Sequence, residues 1–500
     1  MKARVLKAVR LATLVLLALA SLPVLGQDRF WVATTPGLWN NPANWSTASG
    51  GAGGASVPGA SNTAIFDGNG TGDCNINVAA SARGIELRTG YTGSVVQSAG
   101  VALTLGVGGY SQAAGTFSGG DAAIDINSGV FSLSGGSFTS TSGTLFIGGT
   151  QGASVVLVNF TGGTFAHNSG TIRLDPAFTP CGRRFATLAL SSALTANHFI
   201  IDVSDAGCTE DALAITGSVL IVTGNLTHFN GFFDLGTIEV RGNFFLEPAA
   251  DGGAGTILFN GPTDQEYSNN GSGRTAHIRV NKTTGVMGPS LAGIDLRAQQ
   301  FTLDAGVFNA PTGVFRVGGV WTGNPTIFTV LGGTFGHNNG TVRLDPVFPE
   351  CATRTATLNT PTAVTFFNLI VDVNDTGCFE DIFAVSGASS VIVANDFTQF
   401  DGFVNTGTVE VRGHVFLEAG ADGGTATILM NGTGTQTYNN ASAARFAHLR
   451  VNKASGVVNP GATTTDFQVQ QFTLDAGVFN APTGIFRVGG VWTGNPTIFT

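Results

Sequence analysis

The chain has 500 residues, with 72 Gly, 37 Phe, 17 Pro and 5 Cys, only 11% charged residues and a formal net charge of −9. Glycine runs well above, and charge well below, the usual share, which excludes an ordinary helical enzyme, a coiled coil and a charged disordered chain. The acidic balance without a basic stripe excludes a nucleic-acid binder, and glycine without a three-residue period excludes collagen.

The first 26 residues read as an address. Lys2, Arg4, Lys7 and Arg10 precede an apolar run from Leu11 to Leu25, and Val24-Leu25-Gly26 suits cleavage before Gln27. This is the pattern of a secretory signal peptide. A membrane anchor is the alternative, but the run is short and Pro23 interrupts it. No Cys follows for lipid attachment, and no later apolar run is long enough to cross a bilayer as a helix.

Residues 27–80 hold Trp31, Trp39 and Trp45 close together, with Pro36, Pro42 and Pro58 and a Gly/Ala/Ser loop from Ser46 to Gly59. A stacked array needs its first layer covered, because an open edge would pair with other chains. This segment is expected to be that N-terminal cap. The three Trp rings are expected to pack it, with a sugar-stacking platform as the functional alternative. Residues 81–161 follow as irregular coils with a beat of Gly-x-Phe steps, as in Gly115-Thr116-Phe117, Gly129-Val130-Phe131 and Gly136-Ser137-Phe138.

From residue 162 the chain is a tandem array. Arg173-Leu174-Asp175-Pro176 returns as Arg343-Leu344-Asp345-Pro346, and Ile238-Glu239-Val240-Arg241-Gly242 as Val409-Glu410-Val411-Arg412-Gly413. Gln300 to Thr329 returns as Gln471 to Thr500 with one change, Val314 to Ile485. Residues 162–331 and 332–500 are therefore two copies of one unit. Thr500 aligns with Thr329, so the array is expected to be truncated at a repeat edge. Inside each copy the apolar period is two: Ile238 and Val240 alternate with Glu239 and Arg241, and Val342 and Leu344 flank Arg343. Such segments are strands with one buried face. Asp251-Gly252-Gly253 and Asp422-Gly423-Gly424 read as turns, with calcium as the weaker alternative.

Two all-β architectures fit: a right-handed parallel β-helix (solenoid), and a string of β-sandwiches. The 170-residue unit does not divide naturally into sandwiches, and Asn-Gly hairpin signals are sparse. Phenylalanine also has no polar group to satisfy, so it can stack in a dry column inside successive coils. The expectation is therefore a β-helix with an N-terminal cap, about 20 coils of roughly 20–25 residues each, forming a monomeric rod.

Gly37-Leu38-Trp39-Asn40-Asn41-Pro42-Ala43-Asn44-Trp45-Ser46 resembles the opening of large secreted bacterial β-strand-repeat proteins. The string Thr256 to Gly261, Gln265, Val280-Asn281-Lys282, Phe301-Thr302-Leu303 and Gly333-Thr334-Phe335 is similar to the same group, which includes autotransporter passengers and adhesin-like β-helices. The resemblance covers nearly all of residues 30–500. It implies a parallel β-helix at a surface or outside the cell, with outer-membrane association as one form of that location, and it implies no catalytic residues.

Export sets the redox expectation. Cys181–Cys208 and Cys351–Cys378 share one 27-residue separation and read as two disulfides, with buried free thiols as the alternative; Cys74 is left over as a free thiol. No zinc-ligand spacing is present. Among the histidines, His277 and His448 begin alternating stretches and suit an exposed or ladder role. No nucleophile elbow, metalloprotease motif or phosphate loop occurs. The one carboxylate cluster flanks the cysteines: Asp202, Asp205, Glu210 and Asp211, repeated as Asp372, Asp375, Glu380 and Asp381. Hard oxygen ligands at turns suit calcium, although the spacing matches no known calcium loop, and a solvated acidic turn is the plainer reading.

These observations lead to a non-enzymatic exported repeat protein, structural or adhesin-like, whose partners are surface glycans or other cell-surface components. The alternative is a polysaccharide-binding or polysaccharide-degrading β-helix. Degradation needs paired carboxylates, or calcium with a basic residue, in a groove. The only Arg beside the acidic cluster, Arg183 and Arg184, become Thr353 and Arg354 in the second copy.

Overall fold

The computed structural model describes residues 27–179, 182–204, 211–375, 381–387, 391–441, 444–490 and 497–500. The expected signal peptide, 1–26, lies outside them. The chain is 63% strand and 1% helix, a parallel β-solenoid of about 18 turns, close to the number of coils expected. Sandwiches require antiparallel sheets. Here, among the described pairings, only Arg29–Trp31 with Trp45–Ser46 runs antiparallel. The chain divides into two compact units, Met1–Gly143 with Gly162–Thr164, and Thr144–Thr161 with Phe165–Thr500.

In the first unit the ladder runs from Arg29–Trp31 to Thr63–Phe66, then to Ala80–Leu87 and Leu103–Gln112. The 27–80 segment thus already takes part in parallel pairing, and Gly37–Leu38 pairs likewise with Cys74–Ile76. Trp31, Trp39 and Trp45 surround Phe66 with ring centroids 5.7–6.5 Å from its own. Cys74 is a buried free thiol, and burial pushes its pKa up. Further along, Tyr110, Phe117, Phe131 and Phe138 form one packed cluster, with Phe117 stacked on Phe138 at 4.9 Å. The Gly-x-Phe steps therefore turn their rings inward.

In the second unit the strand alternation is regular. Thr171–Phe178 and Thr341–Phe348 each place every second residue inside. A coil takes 18 residues where Leu220 pairs with Ile238 and 31 where Val155 pairs with Ala186. In-register stacking sets Phe301 on Phe328 and Phe308 on Phe335, and Phe308, Phe315 and Phe335 also pack around the Phe301 ring. Burying one such ring contributes roughly 1.5–3 kcal/mol.

Turns join coil to coil through short polar side chains. Asp73 accepts from Ser94 N, Asp264 from Val286 N and Asp295 from Val314 N, at 2.7–2.8 Å. This explains the Asn/Asp content of the turns: a carboxylate or amide oxygen captures an N–H that the next coil would otherwise leave unpaired. Inward positions at corners take glutamine. Gln97 donates to Val101 O, and Gln112 to Gly115 O and Ser137 O.

The two Asp-Gly-Gly segments are not turns. They lie inside the long strands Phe244–Phe259 and Val415–Met430, at a register shift between Gly252 and Thr256 and its equivalent between Gly423 and Thr427. Gly253 has φ +119°, and a Cβ there would lie 2.1 Å from Phe233 O, so this bulge needs glycine.

Candidate functional site

The sequence-derived candidates go to different places. Trp31, Trp39 and Trp45 are 0%, 1% and 0% exposed. The Trp31 indole N–H donates to Gly72 O at 2.8 Å and that of Trp45 to Trp39 O at 2.7 Å. No ring face reaches solvent, so the three pack the interior and form no stacking platform. Of the cysteines, Cys181, Cys208 and Cys378 lie outside the described residues, as do Asp205, Glu210 and Glu380. Cys351 is exposed in the loop before Thr355–Asn359.

The described acids are not gathered around one point. Asp202 faces Arg173, whose Nε donates to it at 3.0 Å and whose Nη2 forms a second, short contact. Asp372 takes Arg343 in the same way, with Nε at 2.8 Å. Asp211 and Asp381 are buried and accept from the backbone N–H of Arg184 and Arg354, at 2.6 and 2.5 Å. These four carboxylates thus clamp coil to coil or hold a guanidinium. Among the described residues no group of three or more His, Cys, Asp and Glu is placed to hold a metal ion.

The Arg–Asp pairs belong to a larger cluster on the outer face. The ladder shifts register between Ile201 and Asp202, leaving Phe229 as the extra residue of the facing strand. The same shift between Val371 and Asp372 leaves out Phe400. A bulge re-aims its side chain, and these two rings point outward, 40% and 39% exposed. The Arg173 guanidinium lies over Phe229 at 5.1 Å and that of Arg343 over Phe400 at 4.8 Å. Each copy therefore presents a guanidinium fixed by a carboxylate on one side and an aromatic ring on the other. Such a cluster offers a charged fork and an apolar face together. The signal for it was in the repeats: Arg173 and Asp202 both recur 170 residues on. The bulge that brings the Phe to them carries no sequence mark.

A second arrangement lies inside. Lys282 and Lys453, from the repeated Val-Asn-Lys motif, are buried. Lys282 Nζ donates to Gly261 O, Thr263 O and Gln265 Oε1 at 2.6, 2.9 and 2.7 Å. Lys453 meets Gly432 O, Gly434 O and Gln436 Oε1 in the same manner. All three ammonium protons are used, which is what a buried cation requires. Burial lowers the pKa of Lys282, against the pull of Asp264. These lysines staple a corner.

The histidines also do structural work. His277 sits between Thr256 and Thr302, with Nε2 2.9 Å from Thr302 Oγ1, and His448 repeats this with Thr427 and Thr473. His167 and His337 cap tight turns by accepting from Ser169 N and Asn339 N. His228 is fully buried between Gly231 O, at 2.8 Å, and Thr275 Oγ1, at 3.1 Å. Burial lowers the pKa of both His228 and His277 to about 4, with Arg279 adding to the shift at His277.

Fold and surface together define a parallel β-solenoid repeat protein whose distinctive side chains are repeated along its outside. No protein-family model matches the chain, and no curated protein or solved structure matches it. Among the described residues no helix is long and apolar enough to cross a membrane.

Proposed function

We propose that the chain is an exported, non-enzymatic repeat protein, structural or adhesin-like, that presents its outer face at a cell surface or outside the cell. In this reading residues 1–26 direct export, residues 27–80 cap the first coil, and Cys181–Cys208 and Cys351–Cys378 are disulfides. The observation that carries it is the recurrence of one outward cluster, Arg173–Asp202–Phe229 and Arg343–Asp372–Phe400, in both copies. Repeated weak contacts raise avidity without a deep pocket. The kinship with autotransporter passengers belongs to the same proposal.

A polysaccharide-binding role is the second reading, favoured by the half-exposed Phe229 and Phe400 beside a fixed guanidinium. A glycan array combined with a reducing-end release assay tests both. Surface or matrix presentation predicts retention of some glycans and no release of reducing ends. Release that grows with enzyme-like turnover would contradict it and would support a degrading β-helix.

A further inference from the structure

The outer cluster at Arg343 continues into a column of arginines from the last coils of the first copy, whereas Arg173 has Phe146 in register beside it. Arg297 pairs in register with Arg316, and Arg316 with Arg343. Thr275 pairs with Ala298, which sets Arg274 beside Arg297. Four arginines therefore stand on successive coils of one sheet face, at the roughly 4.8 Å spacing of neighbouring strands. Side by side, like charges repel. The repulsion is only partly answered. Asp345 lies between Arg274 and Arg316, at 3.4 and 3.7 Å, and Asp372 holds Arg343. Asp295 accepts from Val314 N, and Asp251 stands in register with Arg274.

Among the described residues no carboxylate contacts Arg297; its Nη1 reaches Ser272 O at 3.3 Å. The Nε atoms of Arg297 and Arg316 are shielded from solvent and have no hydrogen-bond partner. Burial, and the neighbouring Arg316 and Arg274, lower the pKa of Arg297 against the pull of Asp295 and Asp345. Like charge thus accumulates along a strip, and the strip ends on the half-exposed ring of Phe400 above Arg343.

We propose that the Arg274–Arg297–Arg316–Arg343 column binds an acidic polysaccharide, with carboxylate or sulfate groups of successive sugars taken by guanidiniums of successive coils and a sugar ring resting against Phe400. Planar guanidinium forks match both oxyanions. An aromatic ring beside them suits a sugar face more than a peptide backbone, and the strands here already pair on both sides, which leaves no edge for an added strand. This rests on the reading of the chain as a surface-presenting protein and names the ligand of that surface.

The second copy supplies an internal control. Its equivalent column is Arg445, Gln468 and Arg487, so Arg297→Gln installs a side chain that the same place already accepts. The test is titration calorimetry of the whole chain with polygalacturonate, dextran sulfate, neutral dextran, polyglutamate and duplex DNA, at low and at raised salt. Binding is expected for polygalacturonate or dextran sulfate, weakening with salt, and the pair of acidic polymers tells carboxylate from sulfate. R297Q and R316Q should each weaken it at least about tenfold, the loss of one charge-assisted contact, while Arg487→Gln leaves it unchanged. An unchanged melting temperature of R297Q separates lost binding from lost folding. No binding, equal binding by R297Q, or equal binding of polyglutamate or DNA would overturn the proposal. Such a failure removes the site alone, whereas release of reducing ends removes the broader functional reading.

Discussion

The two copies, 162–331 and 332–500, fold alike but differ in instructive places. Their inward positions and corner staples correspond: Lys282 with Gln265 matches Lys453 with Gln436, and Tyr267 bonds Asn309 O as Tyr438 bonds Asn480 O. Where they differ, contacting residues change together. His228 with Thr275 becomes Gln399 with Phe446, and Gln399 still reaches Gly402 O as His228 reaches Gly231 O. Arg183, paired with Asp234, becomes Thr353 where Asn405 replaces the acid. A buried polar atom or an ion cannot lose one partner without cost, so the pair moves as a unit. The outside is freer: Arg297 becomes Gln468, and the coil before each copy sets Phe146 in register with Arg173 but Arg316 in register with Arg343.

Breaking what the copies share should do most damage. Phe301→Ala, which removes a ring packed by four other Phe, should cost about 3–5 kcal/mol in denaturant unfolding; a loss near that of a surface change would contradict the stacked core. If the proposed disulfides form, their reduction should cost ~3–4 kcal/mol for each closed loop, on the chain-entropy model. Peptide mapping without reductant should recover Cys181 linked to Cys208 and Cys351 to Cys378; free thiols at these positions would refute the pairing.

Lys282→Ala leaves Gly261 O and Thr263 O without their buried donor and should cost about 1–3 kcal/mol, as should Lys453→Ala in the other copy. A marked difference between the two would break the equivalence of the staples. The remaining test concerns pH, and its size grows with how far the pH falls below ~6.5. The folded-state pKa of His228, about 4, lies below the ~6.5 of an unfolded histidine, so the unfolded chain takes the proton first. Stability is then full above ~6.5 and is lost as pH falls toward 4, at no more than ~1.4 kcal/mol per pH unit for each such histidine. His228→Gln combined with Thr275→Phe imports the second copy's solution. Melting temperatures between pH 7 and 4 should then flatten, leaving the share of His277 and His448. An unchanged slope would remove His228 from the account.

The architecture was legible because its causes are periodic. Alternation in Thr171–Phe178 and the excess of Phe over polar aromatics both reduce to one buried face per strand. The sites were less legible because they depend on register. In the chain Asp202 and Asp372 read as a solvated acidic turn, with calcium as the alternative, yet the coil below sets Arg173 and Arg343 against them. The Trp cluster suited both a platform and a core, and only burial decides between these. Nothing in the Val-Asn-Lys motif shows that the corner turns Lys282 inward, and no local pattern announces the bulges at Phe229 and Phe400.

The central claim is in-register parallel stacking of coils, and cysteine cross-linking reads it directly. Thr341 and Asn368 face each other across adjacent coils, with Asn368 Nδ2 3.2 Å from Thr341 Oγ1, whereas Leu369 points into the core. Strand neighbours at this spacing lie within disulfide reach. Under mild oxidation, Thr341→Cys with Asn368→Cys should give a 341–368 link in the peptide map, and Thr341→Cys with Leu369→Cys should give none. A link in the shifted pair, or none in the aligned one, would contradict the stacked solenoid.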